Sequence, residues 1–149
     1  MAGESSLMLF SVREFIFALE IGTLLEVAQV PAERVCSEEE GPFRYKLDFR
    51  GKRIPVLDLA ERIGMQPLPM TGTLQLLVVE VDSRPFALLI NKILKVAKGK
   101  GIVYRFPSMF RTRHNRYIEA VYRLDNKMSF VLNPNAILPD NEIAALRSA

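Results

Sequence analysis

Side-chain chemistry needs titratable groups brought together, and this chain of 149 residues has few to bring. Its only histidine, His114, lies in the run Arg-Thr-Arg-His-Asn-Arg, where neighbouring guanidinium charge disfavours the protonated imidazole a general acid would need. Its only cysteine, Cys36, precedes Glu38, Glu39 and Glu40. Their negative charge disfavours the thiolate, the reverse of what activates a nucleophile. A single cysteine also excludes a disulfide within the chain, and no zinc-ligand spacing occurs. Gly99 and Gly101 lack the longer pattern and following helix of a phosphate-binding loop. No carboxylate pair has the setting of a general acid and base. The expectation is a protein with no catalytic residue, no metal and no cofactor, and therefore not an enzyme.

Residues suited to binding are more numerous. Tyr104, Arg105, Phe106, Phe110, Arg111, Arg113, Arg116 and Tyr117 interleave rings with cations, as a small barrel that stacks unpaired bases and contacts phosphates would. Nucleic-acid binding through residues 98–123 is thus an alternative function, set against the simpler reading that the rings fill a core and the arginines face water. A second candidate is the tip Asp48-Phe49-Arg50-Gly51-Lys52-Arg53. Gly51 tolerates a positive φ, and a tight turn there pushes Arg50 outward as a planar fork able to grip a carboxylate at two points.

The elements that must position these residues come in two sets. Residues 10–29 align without gaps on residues 79–98 with eight of twenty positions identical: Val12 with Val81, Phe17 with Phe86, Ala18 with Ala87, Leu19 with Leu88, Ile21 with Ile90, Leu25 with Leu94, Val27 with Val96 and Ala28 with Ala97. A shorter echo sets Pro55-Val56-Leu57-Asp58 beside Phe130-Val131-Leu132-Asn133. Such repetition implies two similar substructures packed together. Strand-like runs cover 7–12, 15–19, 25–30, 44–49 and 53–57, then 74–81, 85–90, 94–97, 117–122 and 128–132; each is rich in Val, Ile, Leu, Phe or Tyr and bounded by turn formers. Asp82-Ser83, Asp125-Asn126 and Arg50-Gly51 sit where hairpins turn. Two sets of five short strands predict a mostly β protein of two small closed barrels, since closure removes exposed strand edges. Lobe 1 is expected at about 7–63 and lobe 2 at about 74–138. A link runs between them from Gly64 to Gly72, after a helical turn at 60–63, and a short helix is expected at about 141–147.

Composition narrows the class further. Hydrophobic residues at 49% and charged residues at 25% are ordinary for a globular domain. The longest apolar stretch, 15–30, is broken by Glu20 and Glu26, which excludes a membrane span of about 20 apolar residues. The opening residues carry no secretory signal, so a cytoplasmic protein without membrane insertion is expected. The net charge of +3 conceals a polarity: residues 1–83 hold 8 basic and 13 acidic side chains, residues 84–127 hold 11 basic and 2 acidic. Opposite fields of this kind steer association.

The stretch FRGKRIPVLDLAERIGM, residues 49–65, resembles the signature of the CheW-like family, with Phe49, Arg50 and Gly51 matching its tip and Ile54, Pro55, Val56, Leu57, Asp58 and Leu59 its following strand. Nearly the whole chain shares the family's pattern, including LLVVEVDSRPFALLINKILKV and YIEAVYRLDNKMSFVLNPNAIL in the second half. The resemblance implies two intertwined five-stranded SH3-like barrels and a non-enzymatic adaptor that joins the cytoplasmic tip of a chemoreceptor to the regulatory domain of the histidine kinase CheA. It carries receptor binding onto Arg50 and Gly51, with Val27 and Val56 in the adjoining groove. Kinase contact falls on Leu47 and Phe49 in the first half and on Ile90 and Val96 in the second. Asp48 replaces the family's Asn, which creates an anion beside Arg50 with which it can pair. The acidic connection at 31–43 is a further departure.

Overall fold

The computed structural model describes residues 6–37, 45–98, 101–105 and 116–137. His114, the run Glu38 to Glu40 and the helix expected at 141–147 lie outside the described residues. Twelve strands are described: β1 Ser6–Val12, β2 Phe15–Glu20, β3 Leu24–Pro31, β4 Val35–Ser37, β5 Tyr45–Phe49, β6 Lys52–Asp58, β7 Thr73–Val81, β8 Arg84–Ile90, β9 Lys92–Lys98, β10 Ile102–Arg105, β11 Ile118–Leu124 and β12 Lys127–Leu132. Two single-turn helices, α1 Leu59–Arg62 and α2 Pro134–Ile137, follow β6 and β12. All ten expected strands are present, and β4 and β10 are additional.

The strands form two sheets of six, in the orders β4-β5-β6-β8-β7-β3 and β10-β11-β12-β2-β1-β9. In each sheet the two outermost strands are consecutive in the chain and three residues apart, β3 with β4 and β9 with β10. Counting each of these consecutive pairs once gives the five strands expected of each barrel. The sheet of β3 to β8 is the first barrel; the sheet of β1, β2 and β9 to β12 is the second. The halves of the chain do not map onto these barrels. The β1–β2 hairpin lies in the second barrel and its repeat counterpart, β7–β8, in the first, so the boundaries at 63 and 74 divide the chain and not the sheets.

The sequence repeat is a repeat of register. Val56 pairs in parallel with Ala87, and Val131 pairs in parallel with Ala18; both partners in each pair are repeat equivalents. The flanking antiparallel ladders then match Tyr45 and Leu47 of β5 with Ala120 and Tyr122 of β11, and Ile54 of β6 with Ser129 of β12. Even an irregularity is duplicated. Between Leu24 and Glu26 the β3–β7 register slips by one residue, and between Ile93 and Lys95 the β9–β1 register does the same, which leaves the equivalent residues Leu25 and Leu94 as β-bulges.

Alternation along β1 explains how the barrels join. Leu7 and Leu9 point into the second barrel, in a small cluster with Ala18, Ala97, Ala120, Tyr122 and Val131. Met8, Phe10 and Val12 point the other way, into a larger cluster that also takes Leu19, Leu76, Leu77, Val78, Phe86 and Leu88. Phe10 stacks on Phe17 with centroids 6.2 Å apart, and Phe17 lies 5.8 Å from Phe130. The seam between the barrels is thus continuous hydrocarbon with aromatic contacts.

Turn chemistry follows the sequence closely. Both central residues have positive φ at Arg50-Gly51, Asp82-Ser83 and Asp125-Asn126, the geometry that suits the twist of a two-residue hairpin. The Asp58 carboxylate accepts hydrogen bonds from Ala60 N at 3.0 Å, Glu61 N at 3.3 Å and Leu68 N at 2.7 Å, capping α1 and fixing the start of the link. Its equivalent Asn133 accepts from Asn135 N at 3.1 Å in α2. Arg13, at the β1–β2 tip with φ 58°, donates to the carbonyls of Gln66 and Pro67 and so ties the exchanged hairpin to the link.

Candidate binding surfaces

β5 and β6 carry the Arg50 tip outward from the first barrel. Arg50 Nη2 donates to Glu26 Oε1 at 2.8 Å, with both side chains largely in solvent, and its guanidinium lies 4.8 Å from the centroid of the Phe49 ring. An ion pair and a cation–π contact together orient the fork over β3. Asp48 does not pair with Arg50, as its place beside the tip had suggested. Asp48 meets its cross-strand register partner Arg53 instead, at 3.4 Å, while Arg50 reaches across to Glu26.

Beside this tip β3 exposes Leu25 and Val27, at 38% and 41% of their surface. The equivalent residues of β9, Leu94 and Val96, are exposed to 40% and 45%. Four large apolar side chains are thus kept in water at matched positions, one pair on each barrel. The bulge at Leu25 and at Leu94 turns each strand at this point. Charge distinguishes the two strips. Glu26 and Arg50 neighbour the first, whereas exposed Lys92, Lys95 and Lys98 line the second. β10 adds a further apolar edge, with Ile102, Val103 and Tyr104 each about half exposed.

The remaining candidates from the sequence separate by burial. Val56, Leu47 and Ile90 are 2%, 4% and 3% exposed. Their side chains are core, so they support a binding surface from beneath and do not present themselves to a partner. The continuous apolar run of β6, Ile54 to Leu57, already carried the signal: a strand covered on both faces loses the alternation of a half-exposed one. Phe49 is half-buried under Arg50. In the basic segment, Tyr117 packs against the large core, burial raising its phenol above the ordinary value, and Tyr122 is buried; neither ring is open to a base. Cys36 is exposed. Among the described residues no group of three or more His, Cys, Asp or Glu could hold a metal ion, and no helix is long and apolar enough to cross a membrane.

Comparison with known proteins places this architecture. The family model described as CheW-like domain matches residues 6–142. A protein of Rhizobium etli, named probable chemotaxis protein CheW, is 19% identical over 144 residues, spanning 96% of this chain and 93% of its own. The crystal structure of the scaffolding protein TtCheW from Thermoanaerobacter tengcongensis superposes with a TM-score of 0.80 at 21% identity, over 93% of this chain and 94% of that one.

Proposed function

The chain belongs to the CheW-like domain family, and from that premise we propose that it is a non-enzymatic adaptor of a chemosensory system, working in the cytoplasm to couple a chemoreceptor's cytoplasmic tip to the regulatory domain of the histidine kinase CheA. The observation that carries this reading is the duplicated strip: Leu25 and Val27 on one barrel, Leu94 and Val96 on the other, each exposed and each in a different field of charge. An adaptor needs two distinguishable contact surfaces. A few apolar anchors supply most of the affinity of such contacts, and the charges around them select the partner and set the encounter rate.

In this reading Val27, Arg50 and Gly51 form the receptor side. The Arg50 fork is held ready by Glu26 and Phe49 and exchanges Glu26 for a receptor carboxylate. Val96, with Lys95 and Lys98 at its flanks, and Phe49 at the edge of the first barrel serve the kinase. Isothermal titration with a receptor hairpin fragment and, separately, with the kinase regulatory domain tests the division. Val27→Asp and Arg50→Glu are expected to weaken receptor binding by about tenfold or more, the scale of a lost anchor, with kinase binding retained. Val96→Asp is expected to do the opposite. Parent-like binding of both partners by all three variants would defeat the assignment.

A further inference from the structure

A cleft of about 240 Å³ opens on the second barrel between Leu9, Ile16, Leu94, Leu124 and Met128. Leu94 and Met128 face solvent from its lining, at 40% and 56% exposure. A more open hollow of about 590 Å³ adjoins it along β9 and shares Lys95, Leu124 and Asp125 with it. Lys127 in the cleft lining and Lys98 in the hollow lining are exposed as well. Three ammonium groups therefore stand against one carboxylate around an apolar recess.

The shared plan of the two barrels shows how this charge is placed. Lys95 takes the position of Glu26 in the aligned repeat, and Asp125 takes that of Arg50 in the matched hairpins. In the first barrel that pair closes on itself at 2.8 Å. Among the described residues Lys95 and Asp125 form no ion pair. The first barrel thus neutralises its own tip, whereas the second offers its cations to an outside carboxylate.

The chain itself carries a segment of matching chemistry. Residues 37–44 read Ser-Glu-Glu-Glu-Gly-Pro-Phe-Arg, three consecutive carboxylates followed by one large apolar side chain, Phe43. The flanking residues Ser37 and Tyr45 are cross-strand partners, and β4 is an outermost strand of its sheet. The segment therefore leaves and rejoins the first barrel at a sheet edge, while the cleft belongs to the second.

We infer that the cleft of one copy receives residues 38–44 of a second copy of this chain. Phe43 fills the apolar recess: a cavity of roughly 150 Å³ holds benzene, so the cleft has room for a phenyl ring. Glu38, Glu39 and Glu40 meet Lys95, Lys98 and Lys127 in charge-assisted hydrogen bonds. Glu40 and Phe43 are separated by at most about 11 Å of extended chain, so the acidic run and the anchor reach hollow and cleft together. The two surfaces differ, which makes the contact head-to-tail and repeatable from copy to copy. Lys95 and Lys98 also flank the proposed kinase surface, so a second copy and the kinase compete for them. The contact itself requires neither kinase nor receptor and stands whether or not the adaptor reading holds.

Sedimentation velocity of the full chain at up to about 1 mM tests the inference. The sedimentation coefficient is expected to rise with protein concentration, and added salt to shrink the rise. Reversing the acidic run with Glu38→Lys, Glu39→Lys and Glu40→Lys should remove it. Reversing the exposed cations with Lys95→Glu and Lys127→Glu should remove it equally. An equimolar mixture of the two variants should restore it, because the segment of each then matches the cleft of the other. A peptide of residues 37–44, titrated onto the parent chain, keeps the test independent of how the variants fold. It is expected to shift the amide resonances of Leu94, Lys95 and Met128 saturably, with a dissociation constant of about 1 mM or tighter, and to bind about tenfold more weakly when it carries Phe43→Ser. A chain that stays monomeric, association that survives either reversal or is not restored by mixing, or peptide shifts confined to other residues would overturn the inference. Peptide binding to a chain that never associates would overturn it too, and would give the cleft to an acidic segment of a different protein.

Discussion

Where the first barrel has Tyr45, Leu47 and Ile54, the second has Ala120, Tyr122 and Ser129. Strand order, parallel joint, bulge and hairpin turns agree between the two barrels, yet their interiors do not. Strand order depends on backbone pairing and on the seam, and both are duplicated. A barrel interior is held by neither constraint once the seam is in place, so one copy carries Tyr, Leu and Ile where the other carries Ala, Tyr and Ser. The surfaces have diverged in a different way, retaining the apolar anchors and changing the charges around them.

The sharpest way to break this comparison is to make the same truncation in both barrels. Leu76 and Leu7 are repeat equivalents, but Leu76 is fully buried in the large cluster and Leu7 is 7% exposed in the small one. Leu76→Ala should cost about 4 kcal/mol and Leu7→Ala about 2 kcal/mol, both within the range for buried leucines. Urea denaturation of the full chain reads both, and equal losses would show that the second barrel's core is no weaker than the first's.

A smaller difference is expected at the equivalent caps. Asp58 accepts three backbone hydrogen bonds and Asn133 one, so Asp58→Ala should cost about 1–2 kcal/mol and Asn133→Ala nearer 0.5 kcal/mol. Only the first loss should vary with acidity. Burial raises the Asp58 carboxyl above 3.8, against the lowering effect of its amide donors. Its contribution is therefore complete below pH 3.8 and declines as pH rises through the folded value. A penalty for Asp58→Ala that grows from acid to neutral pH would reverse this sign. The least effect belongs to the exposed charges: Glu26→Lys, which breaks the pair with Arg50, should alter stability by under about 0.5 kcal/mol, and a larger shift in the urea midpoint would mean that the tip braces the first barrel.

Much of this architecture was legible in the sequence. Alternating apolar runs and the Asp-Ser, Asp-Asn and Arg-Gly tips located ten strands and three hairpins, because side-chain period and positive φ are local properties. β4 and β10 escaped for local reasons too. Val35–Ser37 is too short to show a period, and Ile102–Arg105 is exposed throughout, so neither alternates. The exchange of hairpins had no local signature at all, since the repeat identifies equivalent strands without saying which copy each one joins. Among the candidate site residues, Arg50, Val27 and Val96 are surface residues, whereas Val56 and Ile90 fell inward because β6 and β8 are covered on both sides, and Leu47 because it holds the buried position of β5. The bulges at Leu25 and Leu94 arise from the register of the paired strands, which no local pattern of residues displays.

The exchanged hairpins also bear on how the chain comes off the ribosome. When residue 63 has emerged, neither sheet can be complete: the one containing β3 to β6 still lacks β7 and β8, and the β1–β2 hairpin has no sheet to join until β9 to β12 are made. The earliest strands synthesised must wait for the last ones, and closing such distant pairs is slow. Neither half is a heritable unit that could be shuffled alone into another protein; a gene fusion or truncation that separated them would strand one hairpin on each side of the cut.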